Sequence, residues 1–236
     1  MVSDNQAETK VDPRGRIVDA LLALAAERRF EEISIAEIAG RAEVSLADFR
    51  DAFPSKGAIL AGFTRRIDRA ALSAGGADLD ASKRDRLFDA LMRRLDAMAP
   101  YRAGLREVVA WLKRDPVAAL AMNQSLVNSL RFALASAGID SEGVGGAVKL
   151  QGLALAWLRV VETWLDDSEP DLGKTMAALD RELTRGEKIV GAIEGFERIA
   201  EPLAAAAVAA CAKGRKASQA VRRRARGETA PPAGSA

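Results

Sequence analysis

Side chains able to do chemistry are few in this sequence, and they do not form the groupings that enzymes use. The chain of 236 residues has no histidine and one cysteine, Cys211, so the usual base that activates a thiol is missing. The carboxylates within residues 166–171 favour a solvated connector over an acid–base pair. Residues 143–146 are glycine-rich but lack the Lys and Ser or Thr of a phosphate-binding loop, and no metal-ligand spacing occurs. We therefore expect no enzymatic activity, no metal site and no cofactor.

Hydroxyl and basic side chains, in contrast, are spaced through residues 34–56, where Arg41, Arg50 and Lys56 accompany several serines. Side chains of these types donate hydrogen bonds to phosphates and to base edges. The chemistry that this segment offers is recognition of a polyanion, without bonds made or broken. Whether the side chains can act together depends on the elements that position them.

Capping residues predict two short helices joined by a tight turn. Ser34 and Glu37 form a capping box, which predicts a helix that begins at Ser34. Ser45 and Asp48 repeat the signal further along the chain, and Pro54 ends the second helix because the residue before proline avoids helical geometry. This spacing is that of a helix-turn-helix.

A further helix is predicted before this pair. Asp12 can cap it, with Pro13 at the first helical position, where a missing N–H costs nothing. Ile17, Leu21 and Leu24 follow at helical spacing and can face a common core. The N-terminal part of the chain is therefore expected to be a small module of three helices.

Residues 16–60 resemble the N-terminal domain of TetR-family transcriptional regulators. The matching pieces are Arg16–Leu21, Ser34–Ala39, Val44–Ser45 and Phe53–Lys56, and the spacing from Val44 to Phe53 contains no gap. Each piece alone is a weak signal, but together they are a strong one. Chain length and the helical character of the remainder also suit this family.

The resemblance implies a helix-turn-helix DNA-binding domain over residues 12–54 and a helical effector-binding and dimerisation domain over 55–210. Composition predicts a basic, mostly disordered tail over 211–236. The resemblance further implies a homodimer whose recognition helices stand about one turn of DNA apart on a palindromic operator. The residues that it places at the DNA are Ser34, Arg41, Ser45, Leu46, Asp48, Arg50 and Lys56.

Departures from the family pattern favour a different interpretation. Glu43 stands where the family usually has glycine, and Asp48 and Asp51 would repel phosphates from the predicted recognition helix. Residues 211–236 carry seven basic groups against one acid, whereas the rest of the chain carries 28 against 32. Since nonspecific DNA affinity comes mainly from cations, the body of the protein supplies little of it. The alternative is a module kept for folding that no longer reads DNA.

Composition favours an all-α protein. Hydrophobic residues make up 49% and charged residues 29%, and no alternating strand pattern persists. The sequence contains no run of about 18 apolar residues, so we expect no membrane span. The N-terminus is polar and mixed in charge, so we expect no signal region there. A single cysteine fits a reducing compartment, so we expect a cytoplasmic protein.

The remaining chain predicts a larger helical domain. Segment 142–166 is its most apolar part, and a helix that is apolar nearly all round must be buried on most faces. In the family that the chain resembles, two late helices of each subunit form a four-helix dimer interface. The alternative is a monomer in which these two helices belong to the core of the chain itself. Helices are predicted at 55–73, 81–98, 103–114, 116–137, 142–166 and 170–185, with Gly186 ending or bending the last. The predicted interface residues are Leu153, Trp157, Val160, Val161, Trp164, Met176, Leu179 and Leu183.

The resemblance also implies an effector pocket within the helical domain. Methionine and aromatic side chains line apolar ligand sites, although each could equally be ordinary core. Because few charges point toward the core, the expected effector is an apolar or neutral small molecule or a lipid. In the family, such a ligand shifts the helix at 55–73 and so changes the spacing of the recognition helices. The candidate pocket residues are Met92, Met98, Trp111, Met122, Phe132 and Trp157.

A second resemblance competes with the first. Residues 164–181 are similar to the late segment of ubiquinone-biosynthesis accessory proteins, which are TetR-like in fold, dimeric and lipid-binding, and do not act through DNA. This role would account for Asp48 and Asp51. Residues 196–226 combine apolar positions with basic groups, but the apolar side is mostly alanine, so membrane contact would be weak. We favour the DNA-binding regulator, because the resemblance over residues 16–60 is longer and includes Phe53–Lys56, and keep the lipid-binding accessory protein as the alternative.

Overall fold

The computed structural model describes residues 12–74 and 80–191, which form helices and contain no β-strand in these ranges. The predicted all-α class is confirmed. Backbone contacts group Met1–Gly186 into one compact unit and Glu187–Ala236 into another, and the fold below is that of the first. The predicted amphipathic segment and basic tail lie outside the described residues, so their membrane contact stays a prediction.

The described helices follow the predicted order closely. The ninth helix, α9, begins at residue 173 and continues through residue 191, so Gly186 does not end it. Short 3-10 turns precede α2 at Phe30–Glu32 and α6 at Ala99–Tyr101. The other helices are α1 (Pro13–Glu27), α2 (Ile35–Arg41), α3 (Leu46–Ala52), α4 (Lys56–Ser73), α5 (Lys83–Met98), α6 (Arg102–Arg114), α7 (Pro116–Ser136) and α8 (Gly143–Asp166).

Side-chain caps explain most of the helix starts. In each case a side-chain oxygen accepts an N–H of the first turn, which has no partner within the helix. Pro13 and Pro116 occupy first helical positions, where proline is tolerated. The capping residues are Asp12 for α1, Ser34 for α2, Ser45 for α3, Ser55 for α4, Ser82 for α5 and Asp115 for α7.

Helices α1 to α3 and the start of α4 enclose a small apolar core, and we call them the N-terminal bundle. Ile17, Leu21 and Ile38 are fully buried, and Phe49 and Phe53 of the second predicted helix join them. The apolar stripe of α3 therefore faces inward, which leaves its opposite side in solvent.

Helices α4 to α8 form a second, larger layer, which we call the C-terminal bundle. Its core includes Leu91, Leu95, Leu130 and Trp164, all buried, and it is continuous with the core of the N-terminal bundle. The domain boundary predicted between residues 54 and 55 stays a prediction.

Helices α1 and α6 join the two bundles by close backbone packing. A Cβ atom added at Gly104 of α6 would overlap the carbonyl group of Leu22 in α1. The absence of a side chain at this position is therefore what allows α6 to lie against α1.

The junction of α8 and α9 is fixed by buried polar contacts. The guanidinium of Arg102 donates to the carbonyl oxygens of Trp164 and Asp167 at the end of α8. The Asp167 carboxylate, almost fully buried, accepts the N–H and hydroxyl of Thr175 at 2.9 and 2.7 Å and so caps the first turn of α9. These bonds, above all that from the Thr175 hydroxyl, lower the pKa of Asp167.

No helix within residues 12–74 and 80–191 has both the length and the hydropathy that a membrane span needs.

Candidate nucleic-acid interface and internal cavity

Both helices of the predicted helix-turn-helix begin at serine caps. Ser34 Oγ accepts the Glu37 N–H at 3.2 Å, and the Glu37 carboxylate accepts the Ser34 N–H at 2.8 Å, which completes the capping box. Hydrogen bonds from the backbone and hydroxyl of Ser34 lower the pKa of Glu37. Ser45 Oγ accepts the Asp48 N–H at 3.0 Å and donates to the Asp48 carboxylate at 2.7 Å. Local capping therefore occupies these polar groups.

The turn between α2 and α3 places Glu43 in a left-handed conformation. Val44 N–H donates to Ala39 O at 3.0 Å, and Glu43 N–H donates to Gly40 O at 3.2 Å. This is the Schellman arrangement, in which the residue after the C-cap takes a positive φ and is usually glycine. Glu43 takes φ +53° without that advantage. The departure from the family pattern thus falls at a strained backbone position.

Two arginines of α1 hold the helix pair in place. Arg14 Nη2 donates to the carbonyl oxygen of Ala52 at the end of α3, at 2.8 Å. Arg16 Nη1 donates to the carbonyl oxygen of Glu43 in the turn, at 3.2 Å. Both ends of the second helix are thereby tied to α1.

The outer side of α3 is exposed along its whole length. Leu46 is 59% exposed, and Asp48, Arg50 and Asp51 also lie on the surface. Arg50 makes no hydrogen bond or ion pair with any described residue, so its guanidinium is free to contact a ligand. A helix exposed in this way has the geometry that fits a DNA major groove.

The other predicted cations are less available. Arg41 is exposed but forms an ion pair with Glu27 at 2.7 Å. Lys56 points inward: its Nζ donates to the carbonyl oxygens of Phe30 and Ile33 at 2.9 and 2.8 Å and lies 4.8 Å from the Phe30 ring centre. Desolvation lowers the pKa of Lys56 against the opposing effect of a nearby carboxylate. Lys56 therefore holds the chain before α2.

The charge of the exposed face is balanced toward acid. Within the described residues of α2, the turn and α3, the cations Arg41 and Arg50 stand against four acids, Glu37, Glu43, Asp48 and Asp51. The face consequently combines the shape of a DNA-reading element with weak attraction for phosphates.

A cavity of about 270 Å³, partly open to solvent, lies in the C-terminal bundle, and its volume is just below the range for small-molecule sites, which is roughly 300–1,000 Å³. Its wall is mostly apolar and is formed by α4 to α8. The apolar lining residues include Leu60, Phe63, Ile67, Met98, Leu105, Val108, Val109, Leu112, Met122, Leu126, Trp157 and Val161.

The predicted pocket residues divide into two groups. Met98, Met122 and Trp157 line the cavity, whereas Met92, Trp111 and Phe132 are not among its lining residues. Trp111 stacks on Phe30, with ring centroids 4.2 Å apart. Phe132 is largely exposed and borders a small surface depression beside α4.

A buried ion pair beside the cavity was not predicted from the sequence. Arg94 of α5, which lines it, donates to the carboxylate of Asp68 in α4, and the same carboxylate accepts the Ser129 hydroxyl at 2.6 Å. Burial lowers the pKa of Arg94, and the Asp68 carboxylate opposes this shift. A signal was present in the sequence, because Arg94 interrupts the apolar stripe of α5 between Leu91 and Leu95.

The Phe30–Glu32 turn connects the cavity wall to the helix-turn-helix. The Glu107 carboxylate of α6 accepts the Phe30 N–H at 3.2 Å and pairs with Arg114 at 2.8 Å. Arg114 also pairs with Glu31, at 3.1 Å. α6 therefore forms part of the cavity wall and also contacts the segment that leads into α2.

The predicted dimer residues lie mostly inside a single chain. Met176 is partly exposed, but the other seven side chains are buried within the fold. The exposed stripe of α8 instead contains Val148, Gly152 and Leu155 at helical spacing. Among the predicted residues, Met176 alone has substantial side-chain area available to a partner. The buried residues are Leu153, Trp157, Val160, Val161, Trp164, Leu179 and Leu183.

In the described part of the chain, no group of three or more Cys, Asp or Glu side chains is arranged to hold a metal ion.

Comparison with known proteins identifies similar folds. No family model matches the sequence, and no curated protein matches it. Among solved structures, a TetR transcriptional regulator from Nitrosomonas europaea aligns with a TM-score of 0.58 and 24% identity over 74% of this chain and 97% of the other. A TetR transcriptional regulator from Rhodococcus sp. RHA1 aligns with a TM-score of 0.53 and 19% identity, over 74% and 95% of the two chains.

A TetR-family regulator from Streptomyces coelicolor gives a TM-score of 0.51 at 16% identity and covers 77% of this chain and 82% of its own. At these identities the alignments establish the architecture, with its N-terminal helix-turn-helix and helical C-terminal bundle. This protein has the fold of the TetR-family transcriptional regulators.

Proposed function

We propose that this protein is a ligand-responsive, homodimeric, DNA-binding transcriptional regulator of the TetR type. The observation that carries the proposal is the helix-turn-helix itself: two serine-capped helices, a Schellman turn between them, and a second helix whose outer side is exposed on a TetR-like fold. A helix presented in this way can enter the major groove by its N-terminal residues.

The contacts to DNA would come chiefly from Arg50, with Arg41 released from Glu27 on binding and the caps of α2 and α3 near the phosphates. Leu46 is exposed at the start of α3, where an apolar side chain can meet a thymine methyl group. Lys56 supports this surface from inside, through its bonds to Phe30 and Ile33. With Asp48 and Asp51 on the same face, affinity should depend on few contacts and on dimerisation.

Dimerisation is proposed through the exposed sides of α8 and α9. Val148 and Leu155 flank Gly152, whose lack of a side chain would allow another helix to come close. Met176 of α9 adds a partly exposed apolar side chain. A two-fold axis at these helices would give each dimer two recognition helices for the half-sites of a palindrome.

Ligand response is proposed to pass through α6. A molecule in the cavity would press on Leu105 and Leu112 of α6, whose other side contacts α1 at Gly104 and the Phe30–Glu32 turn through Glu107. A small movement of α6 would therefore alter the position of α2 and α3. The binding of DNA and of ligand would be coupled in this way.

The deciding experiment is enrichment of genomic fragments at about physiological salt, with full-length protein and a version truncated after Ala210. The truncation removes a tail that carries seven basic groups against one acid and could hold DNA nonspecifically. We expect both versions to enrich discrete sites with two-fold symmetry. Enrichment that disappears with the tail, or none at all, would contradict the proposal and favour the lipid-binding accessory role.

A further inference from the structure

The polar groups on the cavity wall define what the cavity can bind. Most of them are already satisfied by partners within the fold. Thr64 donates its hydroxyl to Leu60 O at 3.0 Å, and Asn123 exchanges amide hydrogen bonds with Gln151 at 3.3 and 3.2 Å. An incoming molecule could therefore hydrogen-bond to these groups only by displacing one of their existing partners.

One ion pair closes the wall near solvent. Lys113 Nζ lies 3.1 Å from Glu162 Oε1, and the side chains are 59% and 46% exposed. Remaining hydrogen-bonding capacity of this pair can be met by water. The pair contributes no net charge to the cavity.

Arg94 differs from all of these groups because it is a buried cation that keeps donors without an acceptor among the described residues. The residue is 6% exposed, and its Nη1 donates to Asp68, but Nε is buried and has no acceptor among the described residues. The guanidinium carries several N–H donors, and only the bond to Asp68 is formed. Nε has almost no accessible surface, so a molecule in the cavity would have to bond to Nη2, which also has no hydrogen-bond partner among the described residues. A poorly solvated donor without an acceptor costs free energy, so an acceptor placed at Nη2 would be favourable.

The neighbour of Arg94 on the wall is also a donor. The carbon at the centre of the guanidinium lies 5.4 Å from the Trp157 ring centroid, and the indole N–H of Trp157 donates to no described residue. The unsatisfied groups at this end of the cavity are therefore donors, while the remaining wall is apolar. The complementary ligand has one acceptor oxygen on an apolar body.

The charge of the ligand follows from the ion pairs. Asp68 already neutralises Arg94, and Glu162 neutralises Lys113, so a carboxylate in the cavity would have no uncompensated cation. Burying a charge without a partner is costly. A carbonyl oxygen accepts from Arg94 without that cost.

We infer that the cavity binds an uncharged, largely apolar small molecule whose carbonyl-type oxygen accepts a hydrogen bond from Arg94. The inference names the ligand class of the proposed effector site and rests on that proposed function for its biological role. The binding itself needs no DNA, so it can be tested separately.

The test compares three probes that share one carbon skeleton: tetralin, 1-tetralone and tetralin-1-carboxylate. Binding to the full-length protein is measured by calorimetry and by quenching of tryptophan fluorescence, to which Trp157 on the cavity wall contributes. We expect the ketone to bind at least about tenfold more tightly than both the hydrocarbon and the carboxylate, as a hydrogen bond from a charged donor predicts. Equal binding of tetralin and 1-tetralone, tightest binding of the carboxylate, or no binding of any probe would overturn the inference.

A paired variant assigns the effect to Arg94. Arg94→Met alone would leave the Asp68 carboxylate buried without a cation, so it is combined with Asp68→Asn, which keeps an acceptor for Ser129. We expect the double variant to bind tetralin as before and to lose the preference for the ketone. Retention of the full preference would overturn the role of Arg94. If the fragment enrichment fails while the ketone preference holds, the cavity assignment stands without the DNA-binding function.

Discussion

The Lys56 ammonium lies 2.9 Å from the carbonyl oxygen of Phe30, and this single contact changes the role of a residue that the sequence placed on DNA. The same Nζ donates to Ile33 O at 2.8 Å. Lys56 stands at the start of α4, and the two carbonyl groups flank the turn that leads into α2. The lysine therefore connects α4, which lines the cavity, to the turn that leads into α2.

Replacement of Lys56 by methionine should lower stability. The variant keeps the apolar stem but leaves Ile33 O without its lysine donor and Phe30 O with only the 3.4 Å bond from the Ile33 N–H, which costs about 1–3 kcal/mol. Urea unfolding followed by circular dichroism measures the change. Arg50→Ala is the matched control, because Arg50 is exposed and unpartnered among the described residues, and its effect should stay within about 0.5 kcal/mol.

In DNA binding, we expect Arg50→Ala to have the larger effect and Lys56→Met the smaller one, the reverse of their effects on stability. On an enriched fragment, Arg50→Ala should reduce the slope of log affinity against log salt by about one, as loss of one phosphate contact predicts. Lys56→Met should leave the slope unchanged at a temperature where the protein is folded. An unchanged slope in Arg50→Ala would remove Arg50 from the interface.

Glu43→Gly should stabilise the protein relative to Glu43→Ala. At φ +53° a residue with a Cβ pays roughly 1 kcal/mol, and glycine avoids this cost at the expense of a more flexible unfolded chain. Alanine shares the strain, so the pair isolates the backbone effect from loss of the carboxylate. We expect glycine to exceed alanine by about 1 kcal/mol in chemical unfolding. A more stable alanine variant would contradict the left-handed assignment.

Features set by neighbours in the chain could be predicted from the sequence. The caps at Ser34 and Ser45 act over three residues, so their spacing alone located α2 and α3. The inward direction of Lys56 could not be found in this way, because its acceptors lie 26 and 23 residues earlier and are backbone atoms of any residue type.

The sequence pattern also did not predict which face of α8 is exposed. When a helix is apolar on nearly all sides, the pattern does not distinguish the side that faces its own core from the side left for a partner. The structure buries Val160 and Trp164 and exposes Val148 and Leu155, all of which are apolar. Arg94 was detectable in principle, since a charge within an apolar stripe implies a buried partner.

Leu155→Glu should dissociate the proposed dimer. Leu155 is 51% exposed on α8, so a glutamate there is tolerated by the monomer but would be buried without a partner at the interface. We expect the dimer dissociation constant in sedimentation analysis to rise at least about tenfold. Val117→Glu, on exposed α7, is the control and should have no effect. A wild-type chain that sediments as a monomer would refute the interface outright.

Asp167→Asn should remove part of the acid sensitivity of the fold. Hydrogen bonds from Thr175 lower the pKa of Asp167 in the folded state, so the carboxylate contributes stability above its unfolded pKa of about 3.9 and loses it as pH falls through the lower folded value. The wild type should therefore be more stable than the variant at pH 7, and the difference should shrink below about pH 4. Urea midpoints between pH 7 and pH 3 provide the measurement. A difference that stays constant over this range would exclude an ionised Asp167 as the cap of α9.

Gly104→Ala tests the contact through which movement at the cavity would reach α2 and α3. The added Cβ overlaps the backbone of Leu22, so α6 must move away from α1, at a cost of about 1–3 kcal/mol. Gly40→Ala, in α2, meets no atom within 4 Å and should be neutral or stabilising, because alanine favours a helix. If α6 transmits ligand binding, Gly104→Ala should also weaken the effect of 1-tetralone on DNA affinity while the ketone still binds the cavity. An unchanged ligand effect in a variant with the expected loss of stability would place the coupling in α4 instead, where Leu60 and Ile67 line the same cavity.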